Sequence, residues 1–141
     1  EVLAATGARQ LLLVAHSMGG LASRAYLRRH GAGKVARLVT LGSPHHGTTL
    51  ARFGLGTNAR QMQSGSAWLE GLAAGDRIPP GSVSIFSHHD NYVAPQEAGS
   101  TLDSLRPVAL GGVSHIAMAI SPMLLAALCA ALEESAPGSA G

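Results

Sequence analysis

Ser17 is the residue whose setting most clearly indicates chemistry. The apolar run from Leu11 to Ala15 predicts a buried strand, and the residues from Gly19 onward predict a helix. A serine on such a sharp strand-to-helix turn, between small residues at positions 15 and 19, matches the G-x-S-x-G pattern except for alanine in the first glycine position. The turn would expose the hydroxyl to a carbonyl carbon, so the pattern predicts a nucleophile that needs a base. The alternative is an ordinary strand and helix with a surface serine.

The elements that would position this serine alternate between strand and helix. Strands are predicted at 10–16, 35–41, 82–87 and 106–110, and helices at 19–30, 59–73 and 121–134. This order predicts an α/β fold with a mostly parallel sheet of about four strands and helices on both faces. The alternation of serine with apolar residues in 82–87 favours a strand near a sheet edge or with a half-covered face.

Two stretches resemble the α/β-hydrolase superfamily, and more narrowly its bacterial lipase and esterase branch. The first is Ala15 to Gly20, which is similar to the serine turn of that branch, called the nucleophile elbow. The second is Leu38 to Thr48, which looks like the strand and loop that follow the elbow helix. The resemblance extends over about 8–132 and implies a serine hydrolase that acts on carboxylic esters through an acyl-enzyme.

In this family the chain order of the catalytic residues is serine, acid, histidine. Asp90 follows the strand at 82–87 and is the expected acid, with Asp103 as its main competitor, whereas Asp76 has the setting of a turn residue. His115 comes directly after the last strand and is the expected base. A core histidine is the alternative interpretation of His115.

The resemblance also implies which groups would stabilise the oxyanion. One donor would be the backbone N–H of Met18, and the second lies on a loop upstream of the elbow in the family. That loop has no counterpart before Ser17, so we expect the C-terminal portion of an α/β-hydrolase fold. Residues 1–134 would form this partial domain, and 135–141 a disordered tail.

Residues 42–81 are rich in glycine and proline, and in lipase-like relatives this region often forms a cap or lid. An ordinary crossover with long loops is the alternative. A lipid or small-molecule ester would be the substrate. The side chains that could form its pocket are His16, Leu50, Phe53 and Trp68. An acyltransferase, thioesterase or amidase, or a catalytically incomplete binding domain, would fit the same residues.

Composition argues against several other classes of function. The formal net charge is +2, and no basic stripe with interleaved aromatics indicates nucleic-acid binding. Neither the adjacent histidines at 45–46 nor those at 88–89 lie beside a cysteine or carboxylate cluster, so we expect no metal and no cofactor. The uncharged segment 107–132 divides more naturally into strand, loop and helix than into a membrane span. Cys129, the only cysteine, is expected to be a buried packing thiol.

Overall fold

Residues 1–133 are described by a computed structural model of the chain. They form four strands, seven α-helices and one 3-10 turn. In chain order the elements are α1 (Val2–Thr6), β1 (Leu11–His16), α2 (Met18–His30), β2 (Val35–Leu41), the 3-10 turn (Thr49–Phe53), α3 (Gly56–Gln61), α4 (Ala67–Ala73), β3 (Val83–Ser87), α5 (Gln96–Ser100), β4 (Arg106–Leu110), α6 (His115–Met118) and α7 (Pro122–Glu133). The expected tail at 135–141 lies outside the described residues.

The four strands form one parallel sheet in the order β1-β2-β3-β4, as predicted. Alternate residues of β2 face opposite sides of the sheet. Leu38 packs with Leu27 of α2, whereas Val39 and Leu41 pack in a cluster with Leu124 of α7. Helices therefore cover both faces, which confirms the α/β architecture.

Two expectations about strand burial are wrong. Helices α5 and α7 contact β3, and every one of its residues is buried. Strands β2 and β4 pair with its two sides, so it is not an edge strand. The serines of β3 are accommodated by hydrogen bonds, since Ser84 Oγ donates to Ser100 O over 2.7 Å. In β1, by contrast, Leu12 and Val14 are about half exposed, at 53% and 47%. Among residues 1–133 only β2 pairs with β1.

The predicted helix at 59–73 is two helices. Helix α3 ends at Gln61 and α4 begins at Ala67, with Gly65 in a left-handed conformation (φ 75°) between them. Ser66 fixes this break because its hydroxyl donates to Gln61 O and accepts from Leu69 N. A cap of this kind satisfies the free N–H groups of a new helix and so favours a fresh start over continuation.

The C-terminal segment divides into strand, loop and helix as predicted. Ser121 begins α7 by accepting the Met123 N–H on its hydroxyl oxygen. None of the helices within residues 1–133 is both long enough and apolar enough to cross a bilayer. Cys129 is exposed, contrary to expectation, because it lies off the face of α7 that carries Leu124 and packs on the sheet.

Candidate active site

The parallel arrangement brings the carboxyl ends of all four strands to one edge of the sheet, and the predicted site residues follow three of them. Ser17 follows β1, Asp90 lies three residues after β3, and His115 begins α6 after β4. Loops at this edge of a parallel sheet are the usual place for binding and catalytic groups. β2 contributes none of the three side chains.

Ser17 sits on a strained turn between β1 and α2. Its φ of 54° and ψ of −127° make it the one non-glycine residue with positive φ within residues 1–133. Its N–H donates to Leu41 O at the end of β2. Strain at a residue that the surrounding structure holds in place is frequent at functional sites.

Small residues let α2 begin close to the sheet. A Cβ placed on Gly19 would lie 3.7 Å from the Ala15 Cβ, which is ordinary contact. A Cβ on Gly20 would collide with the Ser43 hydroxyl and lie 2.7 Å from the Ser43 Cβ, which cannot be accommodated without movement. The close approach of α2 to the sheet therefore requires glycine at position 20. The motif alone indicated small residues only at positions 15 and 19.

Ser17, His115 and Asp90 form a continuous chain of hydrogen bonds. His115 Nε2 lies 2.8 Å from Ser17 Oγ, and His115 Nδ1 lies 2.7 Å from Asp90 Oδ2. Asp90 and His115 are both buried. With Nδ1 protonated toward the carboxylate, Nε2 is free to accept the proton of the serine hydroxyl.

Asp90 is held in its ionised form. Burial raises the pKa of its carboxyl group, but hydrogen bonds from His115 and from the backbone N–H groups of Val93 and Tyr92 outweigh burial and lower that pKa overall. Both backbone bonds end on Asp90 Oδ1, at 2.9 and 2.7 Å, leaving Oδ2 for His115. Asp103, the competing acid, is exposed on a turn before β4.

Gly42 provides the space in which the acid and base meet. Its φ is +54°, and a Cβ there would lie 3.1 Å from Asp90 Oδ2 and 3.3 Å from His115 Nδ1. The chain leaves β2 directly beneath that hydrogen bond. No sequence signal other than the glycine itself marked this position.

A cavity of about 240 Å³ opens at Ser17 and His115. Its other lining residues are mostly apolar and come from the segment after β2 and the loop after β3: Pro44, Thr48, Leu50, Ala51, Gly54, Met62, Tyr92 and Val93. Of the four predicted pocket residues, Leu50 lines this cavity. A larger cavity of about 840 Å³ lies at the opposite edge of the sheet, and its lining does not include the serine, the histidine or the acid.

The other three predicted pocket residues do not line this cavity. Trp68 packs against the cluster formed by Leu21, Leu69 and Leu72. Phe53 is 72% exposed and lies beneath the Arg52 guanidinium, 4.6 Å from it. His16 contacts His115, with its Nε2 3.1 Å from His115 O and the two ring centroids 4.8 Å apart.

A buried ionic network beneath the site was not predicted. Arg24 of α2, fully buried, forms two hydrogen bonds with the Asp76 carboxylate at 3.0 and 2.6 Å and donates to His45 O at 2.9 Å. Asp76 is thus an ion-pair partner rather than a simple turn residue. Burial, with Arg24 nearby, lowers the pKa of His45 to about 3. His45 Nε2 lies 2.9 Å from Thr40 Oγ1.

The site shows no arrangement suited to a metal. Within residues 1–133, no three histidine, cysteine or acidic side chains converge in a way that could hold an ion. What the arrangement can do chemically is activate a hydroxyl and hold an acyl group beside it.

Comparison with known proteins finds similar sequences among bacterial lipases. Over 53 residues the chain is 47% identical to triacylglycerol lipases of Pseudarthrobacter phenanthrenivorans and Burkholderia plantarii. That match covers 38% of this chain but only 16% and 14% of those two lipases. The chain spans a small part of the relatives it matches.

Solved structures share the fold. The mature form of a Bacillus licheniformis lipase superposes with a TM-score of 0.74 at 19% identity, over 93% of this chain and 68% of that one. A phospholipase of Legionella pneumophila superposes with a TM-score of 0.57 at 14% identity, over 94% of this chain and 42% of that one. A family model described as the alpha/beta hydrolase fold matches residues 1–100, and the chain belongs to that family.

Proposed function

We propose that the protein hydrolyses carboxylic esters, with Ser17 as nucleophile, His115 as base and Asp90 as the acid that orients it. The observation that carries the proposal is the pair of hydrogen bonds at His115, 2.8 Å to Ser17 Oγ and 2.7 Å to Asp90 Oδ2. The names of the lipase relatives agree with this chemistry.

In the proposed reaction, Ser17 Oγ attacks the ester carbonyl carbon while His115 Nε2 takes the hydroxyl proton. The carbonyl oxygen becomes an oxyanion, which the backbone N–H of Met18 is positioned by the motif to stabilise. As the tetrahedral intermediate collapses, the C–O bond to the alcohol breaks and His115 gives its proton to the leaving oxygen. Water, deprotonated by His115, then attacks the acyl-enzyme, releasing the carboxylic acid and restoring Ser17.

The mostly apolar cavity beside Ser17 supports the proposal that the enzyme binds the acyl group of its substrate there. Its walls include Leu50 and Met62, so an alkyl chain would displace water from apolar surface. We propose that the segment after β2, within 42–81, covers this acyl site.

Labelling with a fluorophosphonate, followed by mass spectrometry of the modified peptide, tests the nucleophile. We expect modification at Ser17 in the wild type and none in Ser17→Ala. Ser114→Ala is the matched control, since it removes an exposed hydroxyl next to His115 and should leave labelling intact. His115→Ala should lower kcat by a factor on the order of 10⁴–10⁶. Wild-type protein that is folded yet unlabelled at Ser17 would refute the proposal.

The proposal that the cavity binds the acyl chain is tested with p-nitrophenyl esters of increasing chain length. We expect kcat/KM to rise with chain length while the acyl chain still fits in the cavity, and to level off or fall for longer chains. Leu50→Ala should change this preference, whereas Trp68→Phe should not, because Trp68 packs in a different cluster. An unchanged preference in Leu50→Ala would count against the cavity as the acyl site.

A further inference from the structure

The aromatic ring of Tyr92 lies against the imidazole of His115. The two ring centroids are 5.0 Å apart and the planes are inclined by 30°, which is a stacked arrangement. Tyr92 is 53% exposed and also borders the cavity that opens at Ser17. The ring therefore lies between the base and the surrounding solvent.

The position of this ring is fixed through its backbone. The Tyr92 N–H donates to Asp90 Oδ1 over 2.7 Å, and the Tyr92 carbonyl oxygen accepts from the buried Thr48 hydroxyl over 2.8 Å. Thr48 Oγ1 also accepts from Ala94 N at 3.1 Å. Because the same carboxylate binds His115 through its other oxygen, the acid, the base and the ring are held as one unit.

A stacked ring affects a histidine base in two ways. The terminal torsion of a histidine side chain has a broad energy profile, so contact with a neighbouring ring restricts its rotation. When the base takes the serine proton it becomes a cation, and the face of a tyrosine ring attracts a cation. Both effects favour the state in which His115 has accepted the proton at the correct position. The second ring in contact with His115, that of His16, is tilted by 41°.

We propose that Tyr92 is a positioning residue for His115, an inference that rests on the proposed ester hydrolysis. The ring of Tyr92, rather than its hydroxyl group, holds the imidazole in position. Within the described residues no hydrogen bond involves the Tyr92 hydroxyl, whereas the ring is in direct contact with the imidazole.

Three variants of the protein separate these contributions. Tyr92→Leu keeps an apolar side chain at the cavity but removes the aromatic face, and we expect kcat to fall about fivefold, equal to about 1 kcal/mol, with KM within about twofold. Tyr92→Phe keeps the ring and should retain wild-type kcat. Tyr26→Leu is the matched control, because the Tyr26 ring contacts the His30 ring of α2, with centroids 4.8 Å apart and planes tilted by 38°, and does not contact His115.

Folding is checked by the fluorescence of the single tryptophan, Trp68, and by the thermal midpoint, which should be equal in all variants. Unchanged kcat in Tyr92→Leu, or an equal loss in Tyr92→Phe, would overturn the inference. So would a loss confined to KM, which would make Tyr92 only a wall of the cavity. Fluorophosphonate labelling of the wild type keeps the two proposals apart. Labelled wild type with an unaffected Tyr92→Leu variant refutes the role of Tyr92 alone, whereas unlabelled wild type refutes the hydrolase and this role with it.

Discussion

The buried imidazole of His45 is expected to make the stability of the fold depend on pH. Its pKa is lowered from 6.5 to about 3, chiefly by burial and next by the charge of Arg24. The unfolded chain therefore binds a proton between these values while the folded chain does not, so the contribution to stability is complete above pH 6.5 and is lost as pH falls. At about 1.4 kcal/mol for each pH unit well below 6.5, the loss between pH 6.5 and pH 4.5 is about 2 kcal/mol.

Urea denaturation at pH values from 7.5 to 4.5 measures this contribution. In His45→Gln the side chain is neutral at every pH, so the free energy of unfolding should fall by about 2 kcal/mol less between pH 6.5 and pH 4.5. His30→Gln is the matched control, because it replaces an exposed histidine that is not among the groups that lower the pKa of His45, and its pH dependence should stay close to that of the wild type. Equal pH dependence in the wild type and His45→Gln would refute the reasoning.

Three further predictions concern the acid and its surroundings. Asp76→Asn should lower the free energy of unfolding, measured by chemical denaturation, by about 3–5 kcal/mol, because it leaves the buried Arg24 charge without its partner. Asp103→Asn, on an exposed turn, is the control and should change this free energy little. Asp90→Asn should lower kcat by about 10⁴. It should also reduce the loss of stability below about pH 4, since the contribution from the lowered pKa of Asp90 is complete above the unfolded pKa and is lost as pH falls through the folded pKa. Gly42→Ala should reduce kcat at least about tenfold in a folded protein, checked by steady-state kinetics and circular dichroism, because its methyl group would crowd the acid–base hydrogen bond.

Local sequence pattern was enough to place two of the strands along the chain. The bounds of β2 and β4 match the predicted ranges 35–41 and 106–110, since apolar runs bounded by glycine and turn residues leave few alternatives. Burial could not be predicted as well, because it depends on which strands become neighbours. The serines of β3 suggested a half-covered face, yet β3 is buried and Ser84 is satisfied by a carbonyl of α5 that is distant in sequence.

The same limit applies to the candidate site. Residues that directly follow strands could be identified from chain order, because parallel strands end at one edge. Contacts that depend on side-chain packing could not. Nothing in the sequence near Asp76 indicated that its carboxylate would meet Arg24, which is 52 positions away, and nothing near Tyr92 indicated a ring on His115.

β2 contributes no side chain to the proposed chemistry, but its carboxyl end determines whether the groups can meet. Gly42 N donates to Ile85 O, which continues the pairing of β2 with β3 just beyond the last strand residue. The positive φ at Gly42 then turns the chain beneath the Asp90–His115 hydrogen bond, where a Cβ has no room. One residue further, Ser43 occupies the space that a side chain at Gly20 would need at the start of α2. The turn after β2 therefore limits the site in two ways. Glycine at position 42 leaves room for the acid–base hydrogen bond, and glycine at position 20 lets the start of α2 approach Ser43.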